Sequence, residues 1–158
     1  MEAFILLVML GVVLSSMSSA RAATGEKDPL VEALIWKESR GRDWLQSETE
    51  EAFGCLQITD ICREDINRIY HTNYTRKDCF NRAKSIEMFW LYVDFYATYD
   101  RLGGVNPTDE DRARIWNGGP TGWLKEATEG YWAEVRKRLL VILARRGVSG
   151  QGKGASDA

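Results

Sequence analysis

Histidine is nearly missing from this sequence. His71 is the only one in 158 residues, and no second ligand stands at helical spacing from it. No metal site is therefore expected, and His71 reads as a surface residue. An excess of either charge is missing too: 21 Lys and Arg stand against 23 Asp and Glu, for a net charge of −2. The electrostatic footprint of a nucleic-acid binder is absent. Cysteine is scarce, with Cys55, Cys62 and Cys79 alone, so one internal disulfide is the most the chain can form. The apolar run Ala3–Leu14 has 12 residues, too few to span a bilayer comfortably. No internal repeat and no composition shift divides the chain. Its length suits one domain with a real core, read here as a monomer without cofactor.

What is present begins with a leader. The run Ala3–Leu14 is followed by small, polar Ser15–Ser19 and by Ala20-Arg21-Ala22, an A-x-A cleavage site. Residues 1–22 therefore read as a signal peptide, 23–146 as the folded domain and 147–158 as a flexible tail. The leader carries Glu2 and no Lys or Arg ahead of its apolar run, so an uncleaved anchor is the alternative. Cleavage would make the protein secreted or periplasmic, with no membrane attachment, and export permits disulfides. Cys55 lies in the apolar stretch AFGCLQI and reads as a buried thiol. Cys62 and Cys79 have more polar neighbours and are the favoured pair.

The folded part reads as mainly α (α+β). Pro29 suits the first turn of an opening helix. Residues 43–51 are acidic and aperiodic, hence a loop. Residues 52–58 form a short apolar run around Gly54, either a strand or a tight turn. Residues 60–70 look helical, with Ile66, Ile69 and Tyr70 on one side. Asn73-Tyr74-Thr75 fits the N-glycosylation pattern. Residues 80–99 read as the longest helix, its stripe of Ile86, Phe89, Trp90, Val93 and Ala97 facing the core. Thr108 and Asp111 have capping-box spacing, and the helix they open stops at Asn117-Gly118-Gly119-Pro120. A last amphipathic helix runs from Tyr131 to Arg145, with Gly147 as its end.

The chemically suggestive stretch is Leu30–Gln57. Val31, Leu34, Ile35 and Glu38 fall at i, i+3, i+4 and i+7, on one helical face. Three are aliphatic and the fourth is a carboxylate. Burial on an apolar stripe and the negative end of the helix dipole both favour the protonated carboxyl. A carboxyl kept protonated near neutral pH is what a general acid requires. The plainer alternative turns Glu38 to water or pairs it with Arg40 or Arg42. The six Trp and six Tyr fit a core or a cleft whose flat aromatic faces stack on sugars.

Four motifs in order form a pattern: Glu38-Ser39 after a short helix, Gly54 to Ile58 (GCLQI), Ala113 to Gly122 (ARIWNGGPTG) and Gly130 to Val135 (GYWAEV). This order resembles the lysozyme superfamily over roughly Leu30–Leu139. The second half is most similar to invertebrate-type (destabilase-like) lysozymes and their bacterial relatives. The first half also resembles soluble lytic transglycosylases. The resemblance implies a two-lobed, mainly helical fold with a glycan cleft, and cleavage of the β-1,4 bond between N-acetylmuramic acid and N-acetylglucosamine in peptidoglycan. It matches Glu38 to the family's general acid and Ser39, Gln57, Asn117 and Tyr131 to positions that face the sugar or the acid. The invertebrate-type enzymes carry a second carboxylate, an Asp, before the Gly-x-x-Gln-Ile segment. Glu48 is the best match here, with Glu50 and Asp43 as rivals. Lytic transglycosylases manage with the one Glu and release 1,6-anhydro ends. A glycan binder that has lost turnover is the reading from another class. The departures are the few cysteines and Trp116, where relatives often have His, which removes support for an isopeptidase activity.

Overall fold

The computed structural model describes residues 27–47, 49 and 51–151, with side chains described through residue 147. The proposed signal peptide, Glu48, Glu50 and the end of the tail lie outside the described residues. The fold is mainly helical with one small β element. Helix α1 spans Pro29–Ser39. Asp28 caps it by accepting the backbone N–H of Leu30 at 2.9 Å and of Val31 at 3.3 Å. Arg40 ends it in the left-handed region at φ 57°. The expected stripe of Val31, Leu34 and Ile35 is buried, but so are Leu30, Ala33 and Ser39. The helix is thus covered on most sides and not on one face.

An antiparallel hairpin follows, β1 (Ala52–Phe53) and β2 (Ile58–Thr59), pairing Ala52 with Thr59 and Phe53 with Ile58. Helix α2 spans Asp60–Tyr70, capped by Thr59, and His71 closes it, exposed, at φ 54°. A short 3-10 helix at Arg76–Phe80 leads to α3, Arg82–Tyr96, which Asn81 caps through the N–H of Lys84. Helix α4 covers Asp109–Gly118 and carries the expected Thr108–Asp111 capping box. Two 3-10 turns, Gly122–Leu124 and Glu126–Thr128, connect it to α5, Glu129–Gln151.

Helix α1 packs chiefly against α5, α4 against α5 and α3, and α2 against α3. Leu34 of α1, Leu56 of the hairpin, Ile66 of α2, Phe89 of α3, Ile115 of α4 and Val135 of α5 are all fully buried in one core. Fully burying each such side chain contributes about 1.5–3 kcal/mol.

Two expectations need correction. The longest helix is α5, not the segment at 80–99, where Asn81 and Tyr96 bound a shorter one. Gly147 does not end α5: it has no left-handed φ, and the helix runs to Gln151. Just ahead of it, Arg146 donates to the Lys27 carbonyl at 2.5 Å and to Glu32 at 2.9 Å, which ties this end of α5 to α1. Cys55 is fully buried, as expected, and burial pushes its thiol up to about 11. The favoured Cys62–Cys79 disulfide is not formed in this structure. Both are thiols, and Cys79 Sγ lies 3.8 Å from the Thr75 carbonyl.

Asp78 is the pin of the connection into α3. It accepts from the N–H and hydroxyl of Thr75, at 2.8 and 2.7 Å, and from Lys84 at 2.5 Å. The hydrogen bonds from Lys84 and Thr75 hold its carboxyl down at about 2. A lowered folded-state pKa stabilises above the unfolded value and is lost as pH falls through the folded one. Asp78→Asn is therefore expected to destabilise by about 1 kcal/mol at pH 7. The difference should shrink between about pH 4 and 2 in urea-unfolding curves.

Candidate active site

Glu38 stands in the last turn of α1, half-buried. The basic residues that follow the helix make contacts of their own. The Arg40 guanidinium lies 3.5 Å from the Trp36 ring centroid, and Arg42 donates to the Ser39 carbonyl at 2.7 Å. Glu38 lines a cleft of about 650 Å3. Tyr131, in the first turn of α5, donates its hydroxyl to Glu38 Oε1 at 2.5 Å. Burial, then the Glu38 charge and hydrogen bond, raise the Tyr131 hydroxyl well above its ordinary value. The phenol thus stays a donor at neutral pH.

Gln57 enters the cleft from the hairpin. The four-residue turn places it at φ 50°, in the left-handed region, and its side chain holds the turn that strains it. Nε2 donates to the Gly54 carbonyl at 2.8 Å and to the Leu45 carbonyl at 3.3 Å. With both amide protons committed, Gln57 offers the cleft its Oε1. Gly54 is required there: it has φ 77°, and a Cβ would meet the Cys79 carbonyl oxygen at 1.7 Å.

Asn117 lines the cleft from the last turn of α4, exposed, beside Gly119 and Pro120. The turn after it is braced from behind. Thr128 is buried, with its hydroxyl 2.8 Å from the Gly122 carbonyl, and accepts from Arg114 Nε at 2.9 Å. Arg114 in turn pairs with Glu110 at 3.0 Å. Gly119 turns the chain at φ 81°, and Gly122 presses on the Arg114 carbonyl, where a Cβ would come within 2.0 Å.

The structure thus brings Glu38, Gln57, Asn117 and Tyr131 together. Ser39 is not with them. It is buried, and its hydroxyl donates to the Ile35 carbonyl of its own helix at 3.1 Å. One residue along a helix is about 100° of rotation, which turns Ser39 into the core when Glu38 faces the cleft. Asp43, a rival for the second carboxylate, is paired with Arg82 at 3.0 Å and does not line the cleft. Glu48 and Glu50 fall outside the described residues.

Sequence reasoning missed one whole wall. Ile61, Glu64, Asp65 and Arg68 of α2 line the cleft at i, i+3, i+4 and i+7, and Tyr92 and Tyr96 of α3 join them. Tyr96 donates to Asp65 Oδ2 at 2.5 Å, and Arg68 donates to Oδ1 at 2.5 Å. Burial raises the Asp65 carboxyl, but the hydrogen bonds from Tyr96 and Arg68 outweigh it, and the net position is below the ordinary value. The partner hydroxyl of Tyr96 is pushed up to about 12 by burial and by Asp65. The aromatics at 80–99 are therefore divided. Phe89 is wholly core, whereas Tyr92 and Tyr96 belong to the core and also line the cleft. Trp116 bridges the two settings. It meets Phe89 at 5.1 Å and Tyr92 at 5.8 Å between ring centroids, and it lines the cleft as well.

Chemically, the cleft offers two carboxyls that each accept from a phenol, Glu38 from Tyr131 and Asp65 from Tyr96, together with Glu64, an amide carbonyl, an exposed amide and aromatic lining. Among the described residues no group of three or more His, Cys, Asp or Glu is arranged to hold a metal ion. No protein-family model matches the chain, and no curated protein matches it significantly.

Gly54→Ala is expected to destabilise the fold by about 2 kcal/mol or more, through a positive φ and a backbone clash. Urea midpoints would show it. Gly41→Ala, at φ 84° with open space around it, serves as the control and should cost less.

Proposed function

We propose that this protein is an exported lysozyme-like glycosidase that cleaves the glycan strands of peptidoglycan. The observation that carries this reading is Glu38, held by Tyr131, on a cleft that Gln57 and Asn117 also line. Residues of three motifs line one cleft, and Tyr131 of the fourth, 93 residues from Glu38, holds its carboxyl, an arrangement that the lysozyme resemblance implies. Glu38 then protonates the glycosidic oxygen between N-acetylmuramic acid and N-acetylglucosamine. Tyr131 fixes the carboxyl by a bond that a protonated phenol sustains throughout the neutral range. Asn117 and Gln57, both on the cleft, then meet acetamido and hydroxyl groups of the sugars. The Asn-Gly-Gly-Pro turn keeps Asn117 accessible at the helix end.

Glu48 remains the proposed second carboxylate, as nucleophile or as base for water; separations of about 5–5.5 Å or 6.5–9.5 Å would assign retention or inversion. A lytic transglycosylase is the second reading. That chemistry needs one carboxyl only, which Tyr131 holds at Glu38, the sugar's acetamido and 6-hydroxyl groups doing the rest.

Mass spectrometry of soluble products from purified peptidoglycan tests both. Reducing muropeptides, lost with Glu38→Gln, are the expected result for a lysozyme, and Glu48→Gln should then reduce kcat as well. Products that borohydride leaves unchanged would be anhydro-ended and would replace hydrolysis by transglycosylation. Glycan bound equally by wild type and Glu38→Gln, with no products from either, would leave a binding protein.

Tyr131→Phe removes one hydrogen bond to a charged group, about 1.5–3 kcal/mol. A loss of about tenfold to a hundredfold in kcat is expected, with KM nearly unchanged.

A further inference from the structure

The α2–α3 wall of the cleft carries polar groups that the proposed reaction at Glu38 does not use. Asp65 is 21% exposed as a side chain and Arg68 is 69% exposed. Each Asp65 oxygen already accepts one bond, Oδ2 from Tyr96 and Oδ1 from Arg68. A carboxylate oxygen accepts about two, so each keeps a lone-pair direction. Arg68 keeps its remaining N–H donors beside it. An oriented acceptor next to an oriented donor, both on the cleft, suits a group that offers O–H and C=O together.

We propose that Asp65, oriented by Tyr96 and Arg68, is a sugar-binding residue of a second subsite. It would accept hydroxyl or acetamido N–H groups of the glycan strand while Arg68 donates to the same sugar. This rests on the glycosidase reading of the cleft. The face from Ile61 to Arg68 extends about 10 Å along α2 at helical rise, longer than a single pyranose. Ile61 is 82% exposed at its start, an apolar edge against which a sugar's C–H face lies. Tyr92 and Tyr96, with ring centroids 4.8 Å apart, line the same cleft. The Tyr96–Asp65 bond joins α3 to α2, so the acceptor is fixed before any sugar arrives, and the ordering cost falls on folding instead of on binding.

The test uses glycan hexasaccharides freed of stem peptides from peptidoglycan. Binding is measured by calorimetry to protein carrying Glu38→Gln, so that nothing is cleaved. Adding Asp65→Asn should weaken binding about tenfold, as loss of a hydrogen bond to a charged group predicts. Arg68→Gln, at an exposed position that folding tolerates, should weaken it by a smaller factor. In otherwise wild-type protein, Asp65→Asn should raise KM for glycan strands and leave kcat within about twofold. Equal hexasaccharide binding by all three proteins overturns the subsite while the glycosidase reading stands. A fall in kcat at unchanged KM also overturns it, by putting Asp65 in the chemistry. If wild-type protein neither binds nor cleaves glycan, the functional reading itself fails and the subsite goes with it.

Discussion

Glu38 and Tyr131 are 93 residues apart and joined by one hydrogen bond of 2.5 Å. That bond exists only if α1 and α5 meet in one register. Rotation of either helix by a single residue would carry one of the two groups about 100° away. The register is held by apolar burial: Leu30, Val31, Leu34 and Ile35 from α1 share a core with Val135, Leu139 and Ile142 from α5. Two ion pairs, Lys37–Glu134 and Arg146–Glu32, decorate the same pair of helices at both ends. They are partly exposed, and such pairs contribute little on their own. The site therefore depends on packing of a helix buried on most sides, and Glu38 is the point where that helix emerges into the cleft.

Legibility in the sequence followed the range of the interaction. Pro29 and the Thr108–Asp111 box are local, since partners three residues apart settle them, and both helix starts were readable. The stop at Asn117-Gly118-Gly119 was readable for the same reason. Glu38 was visible as a carboxyl on an aliphatic stripe. Its partner was visible only through the resemblance, because no periodicity connects Tyr131 to residue 38. Ser39 illustrates the reverse error. A motif ties it to its neighbour, but helical rotation sends it into the core. Gly147 carries the composition of a helix stop, yet α5 continues through it. A helical glycine costs only about 1 kcal/mol relative to alanine, and α5 is anchored beside it by Arg146. Asp65 and Arg68 were not legible at all. On α2 they form the polar face of an amphipathic helix, which normally meets water, and only the approach of α3 and α4 turns that water into a cleft.

The division of the cleft has a chemical logic. An enzyme gains rate only from interactions that strengthen in the transition state. One carboxyl positioned by one phenol is a small constellation, so under the proposed glycosidase reading the orientation of a glycan would come from other groups of the cleft. Gln57 and Asn117 stand on two turns, and both turns are rigid for reasons of backbone sterics: Gly54 against the Cys79 carbonyl, Gly122 against that of Arg114. The turns carry the amides, and the glycines let the turns approach the scaffold closely enough to hold them still.

The α2–α3 wall extends that logic away from the reacting bond. Tyr96 is almost completely buried, and its hydroxyl needs an acceptor; Asp65 is partly desolvated and needs donors. Each satisfies the other at the cleft surface, where an unpaired version of either would be costly. Had the pair served stability alone, burying it deeper or replacing it by packed apolar residues would do as well or better. Its position on the cleft, with Arg68 exposed beside it, fits the proposed sugar subsite. A reacting end organised around Glu38 and a binding end organised around Asp65 would let one strand be gripped at a distance from where it is cut.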